Sequence, residues 1–202
     1  MRHGGAATEG GVITIVWRRL DLPGHDAAAL DRDGDDWRIA GVAVLTSDGR
    51  PARLDYEVRC DAGWRTRSAT IAGWIGEREV RLTLERDAGD RWRVAGAGVP
   101  ALDGCRDVDL AFTPATNTLP IRRLRLAVGT EAAVRAAWVR FPDLSTEVLE
   151  QTYRRTAPDR YHYESAGGAF RRELALSGAG FVTSYPGLWE AEGVGGAHEP
   201  FD

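Results

Sequence analysis

The chain has 202 residues, 43% of them hydrophobic, and a formal net charge of −4. That length and apolar content suffice for one buried core, and they exclude a disordered chain and a basic surface built to neutralise nucleic-acid phosphates. All 26 basic residues are Arg, so Schiff-base, Walker-type and Ser-Lys lysine chemistries are excluded too.

Residues 1–11 are rich in Gly and Ala without periodicity, which predicts a frayed tail. They lead into no apolar signal segment, and no stretch is long enough to span a membrane, so the protein is expected to be cytoplasmic. Cys60 and Cys105 fit a reducing compartment, as small buried hydrophobes.

Alternation begins at Val12. Trp37, Ile39, Ala43 and Leu45 lie roughly at period two, and Ser47 to Arg50 form a turn. Leu54, Tyr56, Val58 and Cys60 then alternate with Asp55, Glu57 and Arg59, the pattern of a half-buried strand. Further strands follow, separated by Gly76 and by the turn at Asp87–Asp90: Trp64 to Trp74, Val80 to Leu84, and Trp92 with Val94. Val108, Leu110 and Phe112 are set against Asp107 and Asp109, one apolar and one charged face.

The stretch TPATNTLPIRRLRL, Thr113 to Leu126, breaks this rhythm. Pro114 stops the preceding strand, and Thr116, Asn117 and Thr118 are helix-capping types. Pro120 is tolerated in a first helical turn, and Ile121, Leu124 and Val128 make an apolar stripe. A helix from about Asn117 to Leu124 is expected, buried on a sheet that curls around it.

Strands resume with Val134, Ala136 and Trp138, then Leu149, Gln151 and Tyr153, then Tyr161 and Tyr163. Phe170, Leu174 and Leu176 follow, and Phe181 to Tyr185 closes on Pro186-Gly187, a type II turn pair. Residues 190–202 read as a second loose tail. No linker divides the chain, so residues 1–202 are expected to form a single domain of mainly β class, a large antiparallel sheet around one helix.

Catalytic and metal signals are sparse. Asp31 to Asp36 has an EF-hand look, but Asp36 and Val42 stand where that loop requires Gly and Glu, so it reads as a solvated turn. His3, His25, His162 and His198 lack metal-ligand spacing, and no nucleophile elbow or nucleotide fingerprint occurs. Cys105 with His162, or Glu77 with Glu79, are the only catalytic pairs to weigh, without supporting context. No cofactor, metal or catalytic residue is expected.

Binding chemistry is better represented. Trp64, Trp74 and Trp138, with Tyr153 and Tyr163, are candidates to line an apolar or sugar-bearing cavity, although filling a rolled core is their commoner use. Arg122 and Arg123 are candidates to hold a carboxylate or phosphate head at its mouth, or else lie on a solvated helix face.

The runs LDYEVRCDAGWRTR, DVDLAFTPATNTLPIRRL, AAWVRFPDL, LEQTYRR and FVTSYPGLW, in that order from Trp37 to Trp189, closely resemble the bacterial family of putative glycolipid-binding proteins. The resemblance implies a spiral β-roll around a single helix and a homodimer. It also implies likeness to periplasmic lipoprotein carriers, whose curved sheets hold acyl chains. The expected function is non-enzymatic binding of an amphipathic lipid or glycolipid between sheet and helix. The alternative is a solid-core interaction protein that works through its dimer surface.

Overall fold

Two antiparallel meanders, joined through the first and last strands of the chain, make one sheet in the computed structural model, which describes residues 11–196. The first meander is β1 (Ile13–Arg19), β2 (Gly24–Asp33), β3 (Asp36–Ser47), β4 (Arg50–Cys60), β5 (Thr66–Ile75), β6 (Arg78–Arg86), β7 (Trp92–Val94) and β8 (Ala97–Gly98). β9 (Asp107–Leu110) and α1 (Thr118–Leu124) follow. The second meander is β10 (Glu131–Val139), β11 (Thr146–Ala157), β12 (Arg160–Ser165), β13 (Phe170–Leu176), β14 (Val182–Tyr185) and β15 (Trp189–Gly195). Strand order runs β8 back to β1, then β15 back to β9, and the sheet is not closed.

The turns are those their residues demand. Asp48 and Gly49 join β3 to β4 with φ of 50° and 73°, the left-handed pair that a two-residue hairpin needs. The Leu188 amide donates to the Tyr185 carbonyl at 2.9 Å across Pro186 and Gly187, where Gly187 has φ 78°. The acidic run also folds as a turn, since Gly34 and Asp35 link paired Asp33 and Asp36.

One correction concerns the end of the chain. The expected tail from residue 190 is the strand β15, which pairs with β1 from Thr14↔Gly195 to Arg19↔Trp189. Its side chains carry little apolar signal, because it is held by backbone ladders to β1 and β14. Residues 1–10 and 197–202 lie outside the described residues.

β9 and β10 pair in parallel, unlike every other neighbouring pair in the described sheet. Parallel neighbours require a long crossover, and the chain from 111 to 130 supplies it through the inside of the roll. From Phe112 to Ile121 every residue is buried. Strands far apart in the sheet touch this segment: β2 through Asp26, β4 through Tyr56, and β11 through Tyr153. The curl is clasped where β5 meets β9, with the Thr66 amide donating to the Arg106 carbonyl at 2.9 Å and the Val108 amide to Thr66 Oγ1 at 3.0 Å.

The helix begins one residue after its expected start and ends where expected, at Leu124, with Arg125 after it at φ 45°. The capping types do not cap. Thr116 Oγ1 instead accepts from the Leu110 amide at 3.2 Å, Asn117 Nδ2 donates to Tyr153 Oη at 2.9 Å, and Thr118 Oγ1 is buried without a partner. The stripe also shifts, for Leu119 and Ile121 are fully buried while Val128, beyond the helix end, is 54% exposed. β9 is covered on both faces, so Asp107 is buried rather than on a solvated face.

The crossover is anchored by a buried carboxylate. Asp26 accepts from Tyr56 Oη at 2.9 Å and from Thr113 Oγ1, which in turn accepts the Ala115 amide at 3.0 Å. Tyr56 reaches across β3 only because residue 41 is Gly, where a Cβ would stand 2.4 Å from the tyrosine oxygen. Gly41→Ala is therefore expected to destabilise the fold by about 1–3 kcal/mol through overpacking, measured by urea denaturation.

Burial, opposed by the two hydroxyl hydrogen bonds, raises the Asp26 carboxyl from 3.8 to about 7. The folded state thus holds a proton that the unfolded chain releases near pH 4. Its stabilisation is complete below that pH and is lost as pH rises through 7, a gap worth roughly 4 kcal/mol. Asp26→Asn should flatten the fall in stability between about pH 4 and pH 7. An unchanged slope in denaturation midpoints would refute this.

Candidate functional site

The crossover sets α1 against β9, and Asn117 just before it reaches Tyr153 on β11. At the C-terminal end of α1, Arg123 Nε and Nη2 donate to the two carboxylate oxygens of Asp107 at 3.0 and 2.5 Å. Burial pushes the Asp107 carboxyl up, and Arg123 opposes that by stabilising the charged form. Arg123 also lines a pocket of about 490 Å³ with Arg65, Arg67 and Arg106 and with Asp35, Asp36 and Asp61. Arg67 lies 3.2 Å from Asp36, and Arg106 only loosely approaches Asp90, at 3.6 Å.

Arg122 turns the other way. Its Nε donates to the Ala179 carbonyl at 2.8 Å, and its guanidinium lies 5.2 Å from the Trp64 ring centre. Burial pulls its pKa down to about 10. Trp64 stacks on Trp37 at 4.5 Å, and Arg32 covers the far face of that pair at 4.5 Å. Trp64 is thus buried between a stacked Trp37 and an Arg122 guanidinium and offers no open platform.

The remaining candidates divide. Trp74 is 38% exposed on the outer face of β5, because its Cβ falls in the same row as Arg53 and Val44. Trp138 is half-buried beneath Arg140, whose guanidinium lies 5.4 Å from its ring. Tyr153 and Tyr163 are brought together inside, ring centres 5.1 Å apart, with Tyr185 6.0 Å from Tyr163. Gln151 Nε2 joins Asp109 Oδ2 at 2.6 Å to Tyr163 Oη at 3.1 Å.

Sequence reasoning missed Asp109, Gln151, Asn117 and Tyr185 as site residues. Gln151 did carry a signal: a polar residue at an inward position, flanked at period two by Leu149 and Tyr153. Asp109 carried none, since its burial follows from the parallel pairing of β9.

Neither weighed catalytic pair is assembled. Both ring nitrogens of His162 are engaged, by Glu164 at 2.9 Å and by Glu173, and these carboxylates raise its pKa. Cys105 is fully buried, and burial pushes its thiol up to about 11. Glu77 and Glu79 are exposed around the β5–β6 turn. Among the described residues no group of three or more His, Cys, Asp or Glu is placed to hold a metal ion, and no helix is long and apolar enough to cross a membrane.

The space expected beside α1 is filled by the protein itself: Phe112, Leu119, Ile121 and Leu110 have no exposed surface. A groove of about 610 Å³ lies instead on the outer face of β1 to β5, floored by Val16, Ala27, Ala29, Ala40, Val42 and Ala72 and edged by Arg38, Asp55 and Glu57.

A sequence profile of the family described as putative glycolipid-binding matches residues 14–191. The chain belongs to that family. A DUF1089 family protein of Pseudomonas aeruginosa, solved in a crystal at 1.80 Å resolution, is similar to this family member with 36% identity and a TM-score of 0.74. The match covers 82% of this chain and 91% of the Pseudomonas protein. No curated protein matches the chain. The family match runs from the second residue of β1 to the third of β15 and so takes in β2 to β14, the crossover and Gln151.

The buried ion pair makes a direct test. Arg123→Ala leaves the Asp107 carboxylate buried without its cation and should cost about 3–5 kcal/mol in chemical denaturation. Arg106→Ala, at a loosely paired exposed site, should change stability by less than about 0.5 kcal/mol.

Proposed function

We propose that the protein binds an amphipathic lipid or glycolipid without altering it chemically, in the cytoplasm and as a homodimer. The observation that carries this reading is the pocket at the end of α1, where Arg123, itself held by Asp107, shares a concavity with Arg65, Arg67 and Arg106, four arginines against Asp35, Asp36 and Asp61. Guanidinium forks match the oxygens of a phosphate or carboxylate head, and a pocket of this volume is of the size that small ligands occupy. Membership of a family described as putative glycolipid-binding supports the same reading.

The tail is assigned to the outer groove, because the interior seat is occupied by Phe112 to Ile121. Val and Ala side chains there are spaced to take an alkyl chain, and each buried CH₂ contributes about 0.8 kcal/mol. The packed interior also favours a second reading, a solid-core protein whose outer face is covered by a second copy. Three registered rows support it: Val16, Ala27, Val42 and Asp55; Thr14, Ala29, Ala40 and Glu57; and Arg18, His25, Val44 and Arg53. Apolar and oppositely charged groups on one face are what a two-fold interface needs.

Native mass spectrometry of freshly purified protein separates the two. Lipid-binding predicts a retained lipid mass that Ala40→Glu lowers about tenfold or more. A dimer free of lipid in repeated preparations, split by Ala40→Glu, would overturn it and establish the second reading.

A further inference from the structure

Part of the charge around the arginine pocket is spent within the protein. Arg123 is held by both oxygens of Asp107, and Arg67 pairs with Asp36 at 3.2 Å. Asp61 Oδ1 accepts the Gly63 and Arg65 amides at 2.9 and 3.0 Å, which fixes the turn between β4 and β5.

What is left over carries both signs. The Arg65 guanidinium and the Asp35 carboxylate engage no other described residue, and Arg106 has only its 3.6 Å approach to Asp90. Arg32 donates to the Asp35 carbonyl at 3.4 Å and lies over the Trp37 ring, without meeting the carboxylate. The two signs come from different elements: Arg65 from the β4–β5 turn and Arg106 from the lead-in to β9, Asp35 from the β2–β3 turn. All three residues are exposed, so both signs are open to a ligand that enters the pocket.

Charge balance decides the kind of head. Arg65, Arg67, Arg106 and Arg123 share the pocket with Asp35, Asp36 and Asp61, and the enclosed Asp107 brings the carboxylates to four. Four against four leaves no net charge to draw in a bare anion, which would also share the concavity with the uncompensated Asp35. A phosphate and a protonated amine on one short link meet both conditions. Guanidinium forks take the phosphate oxygens, and the ammonium takes the free carboxylate.

We propose that this pocket selects a zwitterionic aminoalkyl phosphate head, with Arg65 and Arg106 on the phosphate and Asp35 on the ammonium. The proposal narrows the head of the lipid-binding reading above and rests on that reading for the tail.

The test uses the full chain. Short-chain phosphatidylethanolamine and phosphatidylglycerol with the same acyl chains are compared by native mass spectrometry. Free phosphoethanolamine is titrated by amide NMR, read at Gly63 and Arg65. The expected result is a preference of about tenfold or more for the ethanolamine lipid, together with shifts of both amides by the free head. Asp35→Asn, at an exposed turn, should erase the preference and leave phosphatidylglycerol binding unchanged, whereas Arg106→Ala should weaken both lipids. Equal affinity for the two lipids overturns the zwitterion and leaves lipid binding standing. A preference that survives Asp35→Asn overturns the assignment to this pocket. Amide shifts by phosphoethanolamine that Asp35→Asn removes, with neither lipid bound, support the pocket and sink the lipid reading. Absence of every signal from the wild-type chain overturns both.

Discussion

β9 and β10 run in the same direction in a sheet whose other neighbours alternate, and that single parallel pair governs the molecule. A hairpin cannot connect parallel strands, so about twenty residues must travel from one end of β9 back to the start of β10. They travel inside. A crossover through the interior carries backbone and side-chain polar groups away from water, where each must find a partner or cost free energy. The threonines and asparagine before α1 therefore face Asp26, the Leu110 amide and Tyr153 rather than the helix terminus. What reads locally as capping chemistry is spent on tertiary bonds.

The same constraint shapes the polar interior. With β9 covered on both faces, its two aspartates are enclosed together with the arginines of the short helix. One aspartate acquires a bidentate guanidinium and becomes part of the frame. The other acquires only an amide and keeps an open oxygen. Burial cost is thus shared unequally between the two aspartates.

Filling the roll with its own crossover also moves apolar chemistry outward. Small Val and Ala side chains on the outer rows of β1 to β3 leave a groove where larger residues would not. An apolar surface of this kind on an exposed sheet face calls for an occupant, whether an alkyl chain or another copy. The arginine pocket, the tyrosine cluster and this groove are thus three consequences of one topological decision.

Much of this was written in the chain itself. Period-two alternation in Leu54, Tyr56, Val58 and Cys60, the turn pairs Asp48-Gly49 and Pro186-Gly187, and the proline-flanked threonines fixed the strands, two hairpin turns and the helix, because these depend on residues near in sequence. β15 escaped notice because its glycines and glutamates are held by backbone ladders, which leave no mark on side-chain pattern. Trp64 and Trp74 are alike as residues, yet one is sandwiched inside and the other lies on the outer face. Asp107 and Asp109 look like one solvated edge until the parallel pairing encloses them. Which strands become neighbours is settled by contacts between distant parts of the chain, and only those contacts decide which polar groups are buried, which are satisfied and which stay open.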